Sequence, residues 1–168
     1  LSSPRAHWHF IGHLQKNKIR QALPLFDRIH SVDSIDTARE INRIASELSL
    51  SPKALLEVNL AAESSKFGFS PAELPMHFEE ILQLSNLQID GLMVIPPISP
   101  DPELSRPYFA ALRKLKNDLE SQFQCELPHL SMGMSSDFHI AIHEGATFVR
   151  IGSALFGPRS SKTWKPSS

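Results

Sequence analysis

The sequence predicts an α/β fold, a TIM-type (β/α)8 barrel of which about six of the eight βα units are present. Three observations lead there. Short apolar runs alternate with longer amphipathic stretches along the whole 168-residue chain, the pattern of helices wrapped around a parallel sheet. Six such runs give units of about 28 residues, and a complete eight-unit barrel takes roughly 250 residues. Glycine-bearing turns follow the last two runs, where barrels place their ligand sites. An open six-stranded sheet is the alternative, and it leaves two unprotected edges.

The first run is His7-Trp8-His9-Phe10-Ile11, closed by Gly12, with a short basic helix expected over Leu14–Ala22. After Pro24 comes a second run, Arg28–Val32. Asp33 or Ser34 then offers a side-chain oxygen to an orphan N–H and so caps the next helix. In that helix Ile35, Ala38, Ile41, Ile44, Ala45 and Leu48 recur at helical spacing, so one face is buried. Ser51-Pro52 ends the unit, and Ala54–Leu60 reads as a third strand. A polar loop with Ser64, Ser65, Lys66 and Gly68 follows. Ser70-Pro71 opens a helix through Leu84, proline being tolerated where no N–H is needed. Ile89–Ile95 is a fourth strand stopped by Pro96-Pro97, and Leu104–Phe123 a long helix. His129-Leu130-Ser131 is a fifth strand ending in a Met132-Gly133-Met134-Ser135 turn. A helix over Ser136–Glu144 leads to the sixth strand, Thr147–Ile151, and Gly152-Ser153 starts a last helical turn. Residues 1–159 thus form one barrel domain, and 160–168 a flexible Ser/Lys/Pro tail.

Composition narrows the function classes. Apolar residues make up 41% and charged residues 21%, with a net charge of −1, so no global field draws the chain to nucleic acid or an anionic membrane. No stretch approaches the roughly 20 apolar residues that span a bilayer. Cys125 is the one cysteine, which excludes an internal disulfide and fits a reducing cytoplasm. Arg5, His7 and His9 interrupt any secretion-signal core. Leu1-Ser2-Ser3-Pro4 reads as a linker, and with no initiator methionine the chain is expected to begin mid-protein. A genuine six-unit chain is expected to be marginal or prone to aggregation, because its strand edges are bare.

The segment from Leu130 to Arg159 carries the most chemistry. Its two glycine-bearing turns each end a strand and open a helix, where unpaired N–H groups and the helix dipole favour an anion. Gly133 and Gly152 let the backbone approach a ligand, and Ser135 and Ser153 add hydroxyl donors. A phosphate-bearing ligand at the barrel mouth and two ordinary capped turns account for this equally well. Arg150, between Val149 and Ile151, is costly inside a strand unless it points into the barrel mouth and finds a partner. That partner is a ring nitrogen, a carboxylate or a phosphate on one reading, and on the other a structural salt bridge forms with a strand carboxylate such as Glu57.

Four segments in order resemble one family. WHFIGHLQKNK is similar to the WHFIGxLQxNK signature of the pyridoxal phosphate (PLP) homeostasis proteins, EVNLAAESSKFG to their element ending in SKxG, DGLMVIPP to their GLM strand, and LSMGMSSDF…VRIGSALFG to their closing motif. The resemblance implies a PLP barrel like the N-terminal domain of alanine racemase, acting as a single domain that carries and buffers pyridoxal 5′-phosphate in the cytoplasm without strong catalysis. It implies PLP-dependent apo-enzymes as recipients and a monomer or weak dimer. It places Arg150 near the pyridine nitrogen, and Ser135, Gly152 and Ser153 on the phosphate with Met134 and Ser131 beside them. His9 and Ile11 alternate onto one face of the first strand and line the ring pocket. The family's Schiff-base lysine strand has no match here, so it is expected upstream of Leu1 together with the first two βα units; no catalytic residue is assigned. His13 after the signature glycine and Ser153 where threonine is common are departures that remove no donor.

Other signals carry less. His139 and His143 have good metal-ligand spacing, but no HExxH pattern or fixed third ligand accompanies them, so they read as surface histidines and no metal is expected. Ser131-x-Gly133-x-Ser135 exchanges the serine and glycines of a nucleophile elbow. The run Lys16-Asn17-Lys18-Ile19-Arg20 lacks aromatic interleaving and reads as an exposed helical face, and Lys16, Lys18 and Lys66 as solvated or phosphate-steering residues. A PLP-dependent amino-acid racemase or decarboxylase is the alternative function. A phosphosugar isomerase ranks behind it, since it needs paired carboxylates and the chain offers mainly Glu57.

Overall fold

The computed structural model describes residues 6–61 and 67–157. The Leu1–Pro4 linker and Arg5, Ser64-Ser65-Lys66, and the tail from residue 158 onward lie outside the described residues. Six strands form one sheet in the order of the sequence, β1 (His9–Phe10), β2 (Arg28–Val32), β3 (Lys53–Glu57), β4 (Gln88–Met93), β5 (His129–Met134) and β6 (Phe148–Arg150). Every neighbouring pair is parallel. Consecutive parallel order is the winding of a (β/α)8 barrel. The sheet is the expected partial barrel, with β1 and β6 as its two ends.

The helices are α1 (Ile19–Ala22), α2 (Ile35–Leu48), α3 (Leu74–Leu82), α4 (Arg106–Phe123), α5 (Phe138–His143) and α6 (Ser153–Phe156). Ser34 caps α2, accepting the Thr37 N–H at 3.2 Å, while Asp33 accepts the Thr37 hydroxyl at 2.9 Å. Of the periodic positions in α2, Ala38, Ile41, Ile44 and Ala45 are buried, and Ile35 and Leu48 pack at the rim.

Most elements are shorter than expected by a few residues at one end or both, the third strand for example ending at Glu57 and not Leu60, and two of the differences have a clear local reason. The third helix begins at Leu74, not Ser70. Ser70 and Glu73 close a reciprocal pair first, the Ser70 hydroxyl donating to Glu73 at 2.7 Å and accepting its N–H at 3.2 Å, as in a capping box. Pro75, rather than Pro71, is the proline of the first turn. The fifth strand runs on through Met134, so Gly133 lies inside it with φ +89°. A Cβ there would fall 2.5 Å from the Ala141 Cβ and 3.0 Å from the Phe138 Cα. Gly133 therefore lets α5 close onto β5.

One hydrophobic cluster fills the space between strands and helices, with Ile29, Leu56, Leu92 and Met132 from the sheet against Ile41, Phe78, Ile81, Phe109 and Leu112. Each such side chain contributes about 1.5–3 kcal/mol by leaving water. From β3 the cluster takes Ala54 and Leu56 but not Leu55. Strand alternation sends Leu55 and Glu57 to the opposite, inner face, which is the barrel lumen.

Candidate functional site

Several strands carry a polar residue between apolar neighbours. Ser131 lies between Leu130 and Met132, and His30 follows Ile29. Ile29, Leu130 and Met132 belong to the outer cluster, so alternation turns His30, Ser131 and, from β6, Arg150 inward.

There they form a continuous hydrogen-bonded chain. Arg150 Nη1 donates to Ser131 Oγ at 2.7 Å, and Nη2 to the main-chain carbonyl of Val94 at 2.8 Å. Ser131 Oγ lies 2.8 Å from His30 Nδ1, and His30 Nε2 lies 3.0 Å from His9 Nδ1. His30 and Ser131 are buried, at 2% and 0% exposure. Burial, then the neighbouring His9 and Arg150, push the His30 pKa down to about 3, so the ring is neutral at physiological pH. Burial likewise lowers Arg150 to about 10, with Glu57 and Asp137 pulling the other way, and the guanidinium stays charged. Among the described residues Arg150 makes no carboxylate ion pair, so the salt bridge to Glu57 does not form and Glu57 acts on it only through space. Phe148 packs against His9 and His30, ring centroids 5.3 and 5.2 Å away.

At the mouth, the turn after β5 meets the start of α6. Ser135 Oγ accepts the N–H of Gly152 at 3.1 Å and of Ala154 at 3.2 Å. Asp137, nearly buried, fixes that turn by accepting the Met134 N–H at 2.7 Å. A Cβ on Gly152 would meet nothing within 4 Å, so this side of the turn is open. Ser153 is the first residue of α6 and is exposed.

A cleft of about 280 Å³ opens beside the lumen, lined by Ile11, His13, Glu57, Phe67 and Ile95 among others. His13 stacks on Phe67 at 3.7 Å between centroids and bonds Asp33 at 3.0 Å. Burial, with Asp33 adding and Arg150 opposing, raises the Glu57 carboxyl to about 7.

The expected site residues thus divide among three places. Ser135, Gly152 and Ser153 come together at the mouth, Arg150 and His9 stand at the two ends of the hydrogen-bonded chain through Ser131 and His30, and Ile11 faces the cleft. Met134 pairs in register with Arg150, half-buried. Ser131, expected beside the phosphate turn, is instead fully buried under Arg150, because strand alternation points it into the lumen. His30 and Asp137 were not anticipated. The signal for His30 was present, since a histidine inside the apolar run Arg28–Val32 obeys the same burial argument that singled out Arg150. His139 and His143 are exposed, and among the described residues no group of three or more metal-ligating side chains occurs.

Residues 2–160 match the model of the alanine racemase N-terminal domain. The pyridoxal phosphate homeostasis protein of Aquifex aeolicus is 47% identical over 152 residues, covering 90% of this chain and 67% of that protein. Its counterpart in Synechocystis is 41% identical over 153 residues, covering 91% and 70%. The chain belongs to the pyridoxal phosphate homeostasis protein family. The solved structure of PipY from Synechococcus elongatus with PLP bound superposes at a TM-score of 0.85, with 44% identity over 92% of this chain and 72% of that one. Alanine racemase of Clostridium difficile shares the fold at a TM-score of 0.73 with 18% identity. The chain spans about two thirds of the length of the homeostasis proteins it matches. No helix of the described residues is long and apolar enough to cross a membrane.

Proposed function

We propose that this chain binds pyridoxal 5′-phosphate and serves in its homeostasis, holding the cofactor without strong catalysis of its own. The observation that carries the reading is the pairing of two unlike donor sets on adjacent strands. One is a half-buried, charged guanidinium with neutral partners, and the other an open turn where the Ser135 hydroxyl, accepting the Gly152 and Ala154 N–H groups, keeps its own hydrogen to donate. A phosphorylated pyridine has a ring acceptor and a phosphate anion at its two ends, so it matches both.

The residues present fit that group. Arg150 uses one N–H on each terminal nitrogen for Ser131 and Val94, leaving others of its five donors for a ring nitrogen. Ser135 with the backbone of Gly152 and Ser153 would hold the phosphate, and the open space at Gly152 admits it. His9 and Ile11 would line the ring. When bound, PLP supplies an electron sink. Arg150 disfavours its full use, because a guanidinium does not give up its proton to the ring. This supports a carrier over the alternative, an amino-acid racemase or decarboxylase. PLP-dependent apo-enzymes are the proposed recipients, in a reducing cytoplasm, with the protein a monomer or weak dimer.

Equilibrium dialysis against PLP and against pyridoxal, which lacks the phosphate, tests the reading. Saturable binding of PLP with much weaker binding of pyridoxal is expected. Equal binding of the two overturns the phosphate turn. Turnover of added amino acids by the loaded protein overturns the carrier in favour of the enzyme.

A further inference from the structure

We infer that His30 and His9 are positioning residues that orient Arg150 through Ser131, by a hydrogen-bonded chain whose protons all run one way, from Arg150 toward the β1 edge. The inference rests on Arg150 facing the ligand, as proposed above, but its geometry belongs to the chain alone.

The direction follows from what each group can donate. A guanidinium has no acceptor, so Arg150 Nη1–H points at Ser131 Oγ. The Ser131 hydroxyl has a single hydrogen and is fully buried. Its partners are Arg150 and His30, and only His30 Nδ1 can accept. Any other arrangement leaves a buried hydroxyl hydrogen without an acceptor, which is costly. His30 Nδ1 is then bare, and the neutral ring carries its proton on Nε2. That proton points at His9 Nδ1, 3.0 Å away, so His9 accepts there and its own proton sits on Nε2. Four side chains from four strands therefore share one ordered set of hydrogens, and Arg150, which can only donate, sets its sense.

The consequence is mechanical. The Val94 carbonyl holds one terminal nitrogen of Arg150 and Ser131 the other, which fixes the plane of the guanidinium. Ser131 serves as that second anchor only while its hydrogen is taken by His30. Cutting the chain at His30 frees the hydroxyl to turn and loosens Arg150, although His30 does not touch it.

Nuclear magnetic resonance on the whole unliganded chain tests this directly. Long-range imidazole correlations at pH 7 should show His30 and His9 as neutral rings protonated on Nε2, and the Arg150 side-chain N–H groups should be resolved and slow to exchange. In His30→Leu the Arg150 signals should broaden into the solvent-exchanging set. In His30→Gln, whose amide oxygen can still accept from Ser131, they should persist. PLP affinity should fall about fivefold in the first variant, as for loss of one hydrogen bond, and little in the second. A His30 ring protonated on Nδ1 in the unaltered chain overturns the inference without any variant, so a poorly folding His30→Leu does not protect it. Unchanged Arg150 signals in a folded His30→Leu overturn it as well. Correct tautomers in a chain that fails to bind PLP leave the ordered chain standing and remove the ligand reading instead.

Discussion

Arg150 on β6 donates to the carbonyl of Val94 at 2.8 Å, and Val94 immediately follows β4, so the guanidinium reaches across the whole width of β5. Its second terminal nitrogen engages Ser131 on β5 itself. One side chain thereby ties three consecutive strands together from within the lumen. Arg150→Lys keeps the charge, but a single ammonium does not reproduce the two-pronged contact. The variant should lose about 1–2 kcal/mol of stability, the worth of one or two hydrogen bonds. Urea denaturation at pH 7 measures it.

Ser135 is the common acceptor for Gly152 and Ala154. Ser135→Ala should weaken PLP binding about tenfold, as expected for a lost hydrogen bond to a charged group, and should leave pyridoxal binding unchanged. Titration of both ligands into the same variant gives the comparison.

Glu57 introduces a pH dependence of known sign. Its carboxyl is raised to about 7 in the folded chain, whereas an unfolded glutamate titrates near 4.3. Between those values the folded state holds the extra proton. The resulting stability is fully present below the lower value and is lost as pH rises through about 7. Glu57→Gln should therefore flatten the decline that remains between about pH 6.5 and 7.5. An unaltered profile in urea melts across that range would show that Glu57 ionises freely.

His30 acts in the opposite sense. Its folded pKa is about 3, below the ordinary histidine value near 6.5, so the unfolded chain takes up the proton first. Stability is lost as pH falls below about 6.5, and the loss grows until about 3. His30→Gln should remove this share of the acid sensitivity. Between pH 4.5 and 6.5 the two groups oppose each other, so the unaltered chain has a flatter profile there than either single variant.

Gly133 is required by packing and by backbone conformation together, with φ +89° and a Cβ site 2.5 Å from Ala141. Gly133→Ala should destabilise the chain by about 1–3 kcal/mol. Thermal melts of the variant provide the measurement, and a loss of less than half a unit would mean that α5 shifts freely on β5.

By itself, the sequence determined the sheet and the family. Apolar runs such as Arg28–Val32 match their strand residue for residue, and periodic positions in α2 place its buried face, because burial pattern is a local property with a fixed repeat. The four motifs and the phosphate turn were legible for the same reason, each being a short contiguous stretch. The tertiary structure alone decided which inward-facing side chains touch. His30 and Ser131 are 101 residues apart in the chain and 2.8 Å apart in the lumen, a contact set by the register of β2 through β5 and not by any local pattern. It moved Ser131 from the phosphate turn to the side of Arg150, and assigned Gly133 to helix packing. It also kept Arg150 from pairing with Glu57, since strand alternation fixes which way a side chain points while only the assembled sheet fixes what lies opposite.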